Sequence, residues 1–152
     1  MQDNVINEEM KVRLIRAALS VLPNSFAPYS HYNVAAALLT ESGKIYTGVN
    51  VESSLLSCTI CAERNAIFTA VAEGDRRIKA IAIVGGLNAS SADELTKYDY
   101  CTPCGVCRQV MRDFCGNPAD FPMICARSES DYKEFTLDQL LPESFGPEDL
   151  EA

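Results

Sequence analysis

Two stretches gather most of the chemistry in this chain: CTICAERNAI at residues 58–67 and CTPCGVC at 101–107. The first sets Cys58 and Cys61 three apart and follows the second thiol with Glu63 and Arg64. The second repeats the spacing with Cys101, Cys104 and Cys107. Thiols so arranged form a disulfide, a closed structural metal site or an open catalytic one. Zinc accounts for them best, because thiolates are good zinc ligands and C-x-x-C lets two of them reach one tetrahedral ion from a single turn. The number of ligands separates the two metal readings. Cys58, Cys61, Cys104 and Cys107 together close the site and exclude water, whereas Cys61, Cys104 and Cys107 alone leave a fourth position open.

Two features favour three ligands. Cys61-Ala62-Glu63 and Pro103-Cys104-Gly105-Val106-Cys107 each read as a helix start, which offers thiolates the positive end of a dipole, while Cys58 lies upstream in a separate segment. Glu63 also falls in the first helical turn, within reach of water at the metal, and a purely structural site has no use for it. Three thiolates around Zn²⁺ leave a net charge of −1, which weakens the ion's power to acidify water. Hydrogen bonds from Arg64 to sulfur would restore part of it.

Elements must hold these groups. EEMKVRLIRAALSVL spaces Met10, Leu14, Ala18 and Val21 as a helix, with Asn7 as N-cap and Pro23 as its stop. VAAALLT and KIYTGV read as a hairpin closed at Gly43. AERNAIFTAVAEG reads as a helix ending at Gly74, with Ala62, Ala66 and Ala70 forming a small-residue face suited to close packing on a sheet. IKAIAIVGG and FPMICA are continuous apolar runs, as in strands buried on both faces. LNASSADELTKYDY is a polar loop, YKEFT a shorter strand and LDQLLP a brief helix. The alternation predicts an α/β fold, a mixed sheet with helices on its faces, in a single domain over residues 1–152.

Composition bounds the function. Hydrophobic residues make up 47% of the 152, enough for a proper core, and no apolar run approaches the ~20 residues of a membrane span. The acidic start MQDNVINEEM lacks the pattern of a secretory signal, which predicts a cytoplasmic protein. A net charge of −8 repels polyanions. Nucleic acid and membrane are therefore not expected partners, and a neutral small molecule is the easier guest.

APYSHYNVAAALLTESGKIYTGVNVES, CAERNAIF, PCGVCRQVMRDF and LLPESFGPEDL together resemble, in order and over nearly the whole chain, the homotetrameric cytidine deaminases with a three-cysteine zinc site. The resemblance implies a three-layer α/β/α subunit with a mixed five-stranded sheet and one Zn²⁺ per subunit. It also implies hydrolytic deamination of cytidine and 2′-deoxycytidine in pyrimidine salvage. Cys61, Cys104 and Cys107 would be the metal ligands, Glu63 the proton shuttle and Arg64 the partner of the thiolates. Asn50 and Glu52 would bind the ribose 3′ region, and Tyr32 would pack on the base where the family usually has Phe. Ser54 and Ala62 would border the substrate. Phe145 would reach the site of a neighbouring subunit, making the pocket composite.

The chain departs from the family at Val34-Ala35-Ala36-Ala37 (usually V-G-A-A), at Ser54 (commonly Ala), at Leu56 (a Tyr) and in a longer loop from Leu87 to Tyr100. Cys58 and Cys101 are extra thiols, read as spectators. Cys115 and Cys125 read as small buried hydrophobes, and His31 as a connector residue. Asn88-Ala89-Ser90 matches a glycosylation acceptor by chance. Three rivals stand beside this reading: a deaminase of a cytosine-nucleoside antibiotic, a non-catalytic Cys₄ zinc module that includes Cys58, and a nucleic-acid editor, which the charge disfavours.

Overall fold

The computed structural model describes residues 6–151. Its centre is a five-stranded sheet in the order β2-β1-β3-β4-β5, built from Tyr32–Thr40 (β1), Ile45–Val49 (β2), Ile78–Leu87 (β3), Pro122–Ser128 (β4) and Asp131–Thr136 (β5). β1 runs antiparallel to both β2 and β3, β3 and β4 are parallel, and β4 and β5 are antiparallel. A parallel pair needs a long crossover, and here that connection carries the helices α3 (Ala92–Leu95) and α4 (Gly105–Phe114).

Strand side chains alternate between two cores. Ala35, Ala37 and Leu39 of β1, with Ala80, Ala82 and Val84 of β3, meet helix α1 (Glu8–Val21) on one face. Ala36 and Leu38, with Ile81 and Ile83, meet α4 and helix α2 (Ala62–Ala72) on the other. The expected three-layer arrangement follows from this division. Asn7 caps α1 as read, accepting from Met10 N at 2.9 Å. The helix buries Leu14, Ile15 and Ala18 and leaves Met10 and Val21 at its margins, half-buried. Each fully buried Leu or Ile there contributes roughly 1.5–3 kcal/mol of apolar transfer.

The small-residue face of α2 does what its spacing predicts. Ala62, Ala66 and Ala70 are fully buried, and at Gly48 of β2 a Cβ would fall 2.5 Å from both Ala62 O and Ala66 N. The helix backbone therefore lies directly on the strand. Gly43, at φ +90°, turns the β1–β2 hairpin, and Gly74, at φ +86°, follows the end of α2. A short helix, α5 (Leu137–Leu140), follows β5, capped by Thr136.

The segment Leu87–Tyr100 differs from its reading as a polar loop. It contains α3, and its Ala89 and Leu95 are 1% exposed. Gly86 makes room for it, since a Cβ there would fall 3.0 Å from the Tyr98 ring and 3.3 Å from a Leu95 methyl. Among the described residues no helix is long and apolar enough to cross a membrane.

Candidate active site

Two helix starts meet at one end of the second layer. Cys61 is the N-cap residue of α2 and Cys104 that of α4, both extended in backbone. Cys107 sits one turn into α4 and is fully buried. The sulfurs of Cys61, Cys104 and Cys107 lie within 4.8 Å of one another, with Cys61 to Cys104 at 3.8 Å and Cys104 to Cys107 at 3.5 Å. Ligands at the usual Zn–S length of ~2.3 Å in a tetrahedron stand ~3.8 Å apart, so the triangle fits zinc and leaves one vertex open.

The triangle is also prepared electrostatically. The Cys61 thiol is lowered to about 5, first by the hydrogen bond from Cys107 and, among the other groups, by Arg64. Cys107, the donor in that pair, is pushed up by the same bond and by burial. Arg64 Nη2 donates to Cys61 Sγ at 3.4 Å, which is the contact its position in CAER suggests. Its buried Nε has no partner among the described residues.

Glu63 is 3% exposed, and burial lifts its carboxyl to about 7. It opens on a pocket of about 220 Å³ together with Cys61, Cys104, Ala62, Tyr32, Val34 and Asn50. Ser30, Thr59, Cys101 and Thr102 complete the lining. The sequence assigns none of these four to the pocket, Cys101 being read there as a spectator thiol. The only signal was at Cys101 and Thr102, which directly precede the Pro103-Cys104 motif.

The other residues named from the resemblance are distributed unevenly. Asn50 reaches the pocket but is committed to the chain: its Oδ1 accepts from Val34 N at 3.0 Å and from Ser25, and its Nδ2 donates to Tyr32 O at 2.8 Å. Glu52 Oε1 accepts from Tyr29 N at 2.9 Å and Ser30 N at 3.1 Å, tying down the connector. These bonds hold its carboxyl below the usual range, the Ser30 side chain foremost. Ser54 is exposed and outside the pocket lining. Phe145 is 57% exposed and lines a different cleft with Arg112 and Glu143. It is held there by Gln109 Nε2, which donates to its carbonyl at 2.8 Å.

Cys58 is exposed, in a 3-10 turn of its own, and does not belong to the sulfur cluster. The structure therefore favours three ligands. Cys58→Ala is expected to keep one zinc per chain by elemental analysis, and loss of the metal would restore the four-cysteine reading. Cys125 is buried and pushed up to about 12 by burial, and Cys115 is half-buried. His31 is exposed at φ +59°, a connector residue as expected.

An open sulfur triangle beside a buried acid defines a class of site, a thiolate metal centre for proton-coupled hydrolysis. The comparisons specify the class. The family model for the cytidine and deoxycytidylate deaminase zinc-binding region matches residues 8–119, and the chain belongs to that family. It is 40% identical over 147 residues to a probable cytidine deaminase of Dictyostelium discoideum, covering 97% of this chain and 91% of that one. It is 39% identical over 138 residues to a cytidine deaminase of Sporosarcina psychrophila, covering 91% and 93%. Its fold matches the crystal structure of cytidine deaminase from Burkholderia pseudomallei with a TM-score of 0.74 at 36% identity, over 88% of this chain and 97% of that one.

Proposed function

We propose that this chain is a zinc-dependent cytidine deaminase, converting cytidine and 2′-deoxycytidine to the uridine forms plus ammonia in pyrimidine salvage. The observation that carries the reading is the union, in one pocket, of the three-sulfur triangle and the buried Glu63. Cys61, Cys104 and Cys107 would hold the zinc, which when bound supplies a Lewis acid that makes water a nucleophile near neutral pH.

The remaining steps belong to side chains. Glu63, lifted to about 7 by burial, is balanced between accepting and giving a proton at the working pH. It takes one proton of the attacking water and passes it to N3 of the pyrimidine; it then takes the second, from the hydroxyl now on C4, and delivers it to the amine, which leaves as ammonia while the C4 carbonyl forms. Arg64, three residues after Cys61 in the first turn of α2, holds Cys61 as a thiolate. Tyr32 and Val34 form an apolar wall for the ring. The ribose falls to Asn50 and Glu52, which are rigid because their other bonds are made within the chain.

Residues 1–152 form a single domain in this reading, and the subunit acts in a homotetramer with composite sites. Support for the tetramer comes from Phe145, which lies outside its own pocket, and from the exposed Phe26, Val51, Leu55 and Leu56. All the cysteines are free, which suits the cytoplasm.

Ammonia release from cytidine tests the reading. The zinc-loaded protein is expected to turn over, and Glu63→Gln to lower kcat by about 10²–10⁴ while still binding zinc. Equal rates for the two proteins would remove Glu63 from the chemistry.

A further inference from the structure

Gln109 and Arg112 stand one helical turn apart on α4, neighbours on its surface, and together they grip residues 144–148. Gln109 Nε2 donates to Phe145 O at 2.8 Å, Arg112 Nε donates to Ser144 Oγ at 2.9 Å, and Arg112 Nη2 pairs with Glu148. Gly146 lies directly on the guanidinium, since a Cβ there would fall 2.5 Å from Nη2 and 2.8 Å from Nη1. The Gly146 N–H donates to Asp149 Oδ2 at 2.8 Å. Phe145 is thus fixed at both neighbours and through its own carbonyl.

That fixation serves no core of this chain. From Pro142 to Leu150 only Gly146 is buried, and Phe145, 57% exposed, belongs to neither core. Arg112 itself is 8% exposed. Burying a cation costs free energy unless it is paired, and its side-chain partners, Ser144 and Glu148, both lie in this outer segment. The fold therefore desolvates an arginine to order a stretch of chain whose one large apolar side chain points to no neighbour of its own. Elsewhere on the molecule the rim of the Glu63 pocket is apolar and uncovered: Val51, next to Asn50 and bridged to Phe26, is 45% exposed and Phe26 53%.

We infer that Arg112 is a positioning residue which, by seating Ser144 and Gly146, presents Phe145 to the pocket of a second copy of this chain. The inference rests on the deaminase reading and its composite site. Arg112 touches no substrate. It holds Phe145 in place before the copies meet, so that little ordering remains to be done when a nucleoside binds.

The test is a double-mutant cycle on the zinc-loaded protein, read by calorimetric binding of uridine and by KM and kcat for cytidine. Phe145→Ala is expected to weaken uridine binding about tenfold through the lost aromatic contact. Arg112→Gln is expected to weaken it about fivefold through lost order. The double variant is expected to stay at about tenfold, because Arg112 acts through Phe145, whereas independent effects would multiply to about fiftyfold. KM is expected to follow these changes with kcat near the wild-type value, since neither the sulfurs nor Glu63 is touched. Loss of the guanidinium leaves Glu148, whose side chain is 59% exposed, to water, so Arg112→Gln is expected to fold. Gly146→Ala supplies an independent route. Its backbone, at φ −141° and ψ −178°, is extended and accepts a side chain, so the added Cβ dislodges the guanidinium alone and is expected to match Arg112→Gln. Sedimentation of Arg112→Gln is expected to equal that of the wild type. Dissociation of that variant, a monomeric wild type that turns over, a fiftyfold loss in the double variant, or wild-type uridine affinity in either member of the cycle overturns the inference and leaves the deaminase intact. The expected binding pattern without ammonia release overturns the deaminase reading alone. Absence of nucleoside binding by the wild type overturns both.

Discussion

Cys107→Ala is expected to take the protein from one zinc per chain to less than a tenth, and to lower kcat/KM for cytidine by at least about 10³. The position leaves little room for compensation. Cys107 is the buried corner of the triangle, and it also donates the hydrogen bond that contributes most to favouring the Cys61 thiolate. Its loss removes one ligand and weakens a second, leaving Cys61 to Arg64 and Cys104. Metal binding is also folding free energy, because the unfolded chain has no preformed site, and here the ion would join the starts of α2 and α4. A chelator is accordingly expected to lower the Tm of the wild type by several degrees and to leave that of Cys107→Ala unchanged. Elemental analysis and a melting curve with and without chelator decide the matter. Full zinc in the variant would mean that another thiol, Cys101 or Cys58, had taken the vacant corner.

The parts of the site that could be read beforehand are those specified by local rules. C-x-x-C at a helix start, Glu63 two residues beyond a ligand and a glycine at each turn depend on spacing and on backbone freedom, and the structure reproduces them at Cys61, Cys104, Gly43 and Gly74. The two cores follow from strand alternation and apolar runs. What escaped depends on which neighbours arrive from far away in sequence. The 87–100 segment averages polar, yet Leu95 is buried because Gly86, on another element, leaves a seat for it. A helix as short as α3 has almost no propensity signal of its own.

Asn50 shows the same limit from the other side. The resemblance implies a ribose partner for it, and only the fold reveals that its amide already bridges Ser25, Tyr32 and Val34. Asn50 thus fixes the chain after the hairpin, a role compatible with a substrate contact in a rigid group at a pocket edge. Cys101 reads as a spectator rather than a ligand, and the structure keeps it out of the sulfur triangle; its place in the pocket lining is a property of the fold, since a side chain can shape a cavity without donating to anything in it.

Gly48→Ala is expected to be the most damaging single-methyl change far from the chemistry. The added Cβ would stand 2.5 Å from Ala62 O and from Ala66 N, and 3.1 Å from Ala66 Cα. All three are backbone atoms, so no side chain can swing aside, and the first turns of α2 must lift off β2. Overpacking of this kind costs typically ~1–3 kcal/mol, and with no rotamer to relax, the upper end applies. At this chain length that is a fall in Tm of about 10 °C.

The displaced turn is the one that carries Cys61, Glu63 and Arg64, and a shift of about 1 Å at such groups can cost about 10²-fold in rate. The variant is therefore expected to lose stability and kcat together while retaining zinc, because Cys61 alone moves with α2 and Cys104 and Cys107 stay in place at the start of α4. Gly43→Ala separates strain from collision. Its Cβ would meet nothing within 4 Å, but φ is +90°, so it is expected to lower Tm modestly and leave kcat alone. Equal kcat in wild type and Gly48→Ala would show that α2 can yield along its length without moving Glu63, and that the close contact with β2 supports the fold but not the geometry of the site.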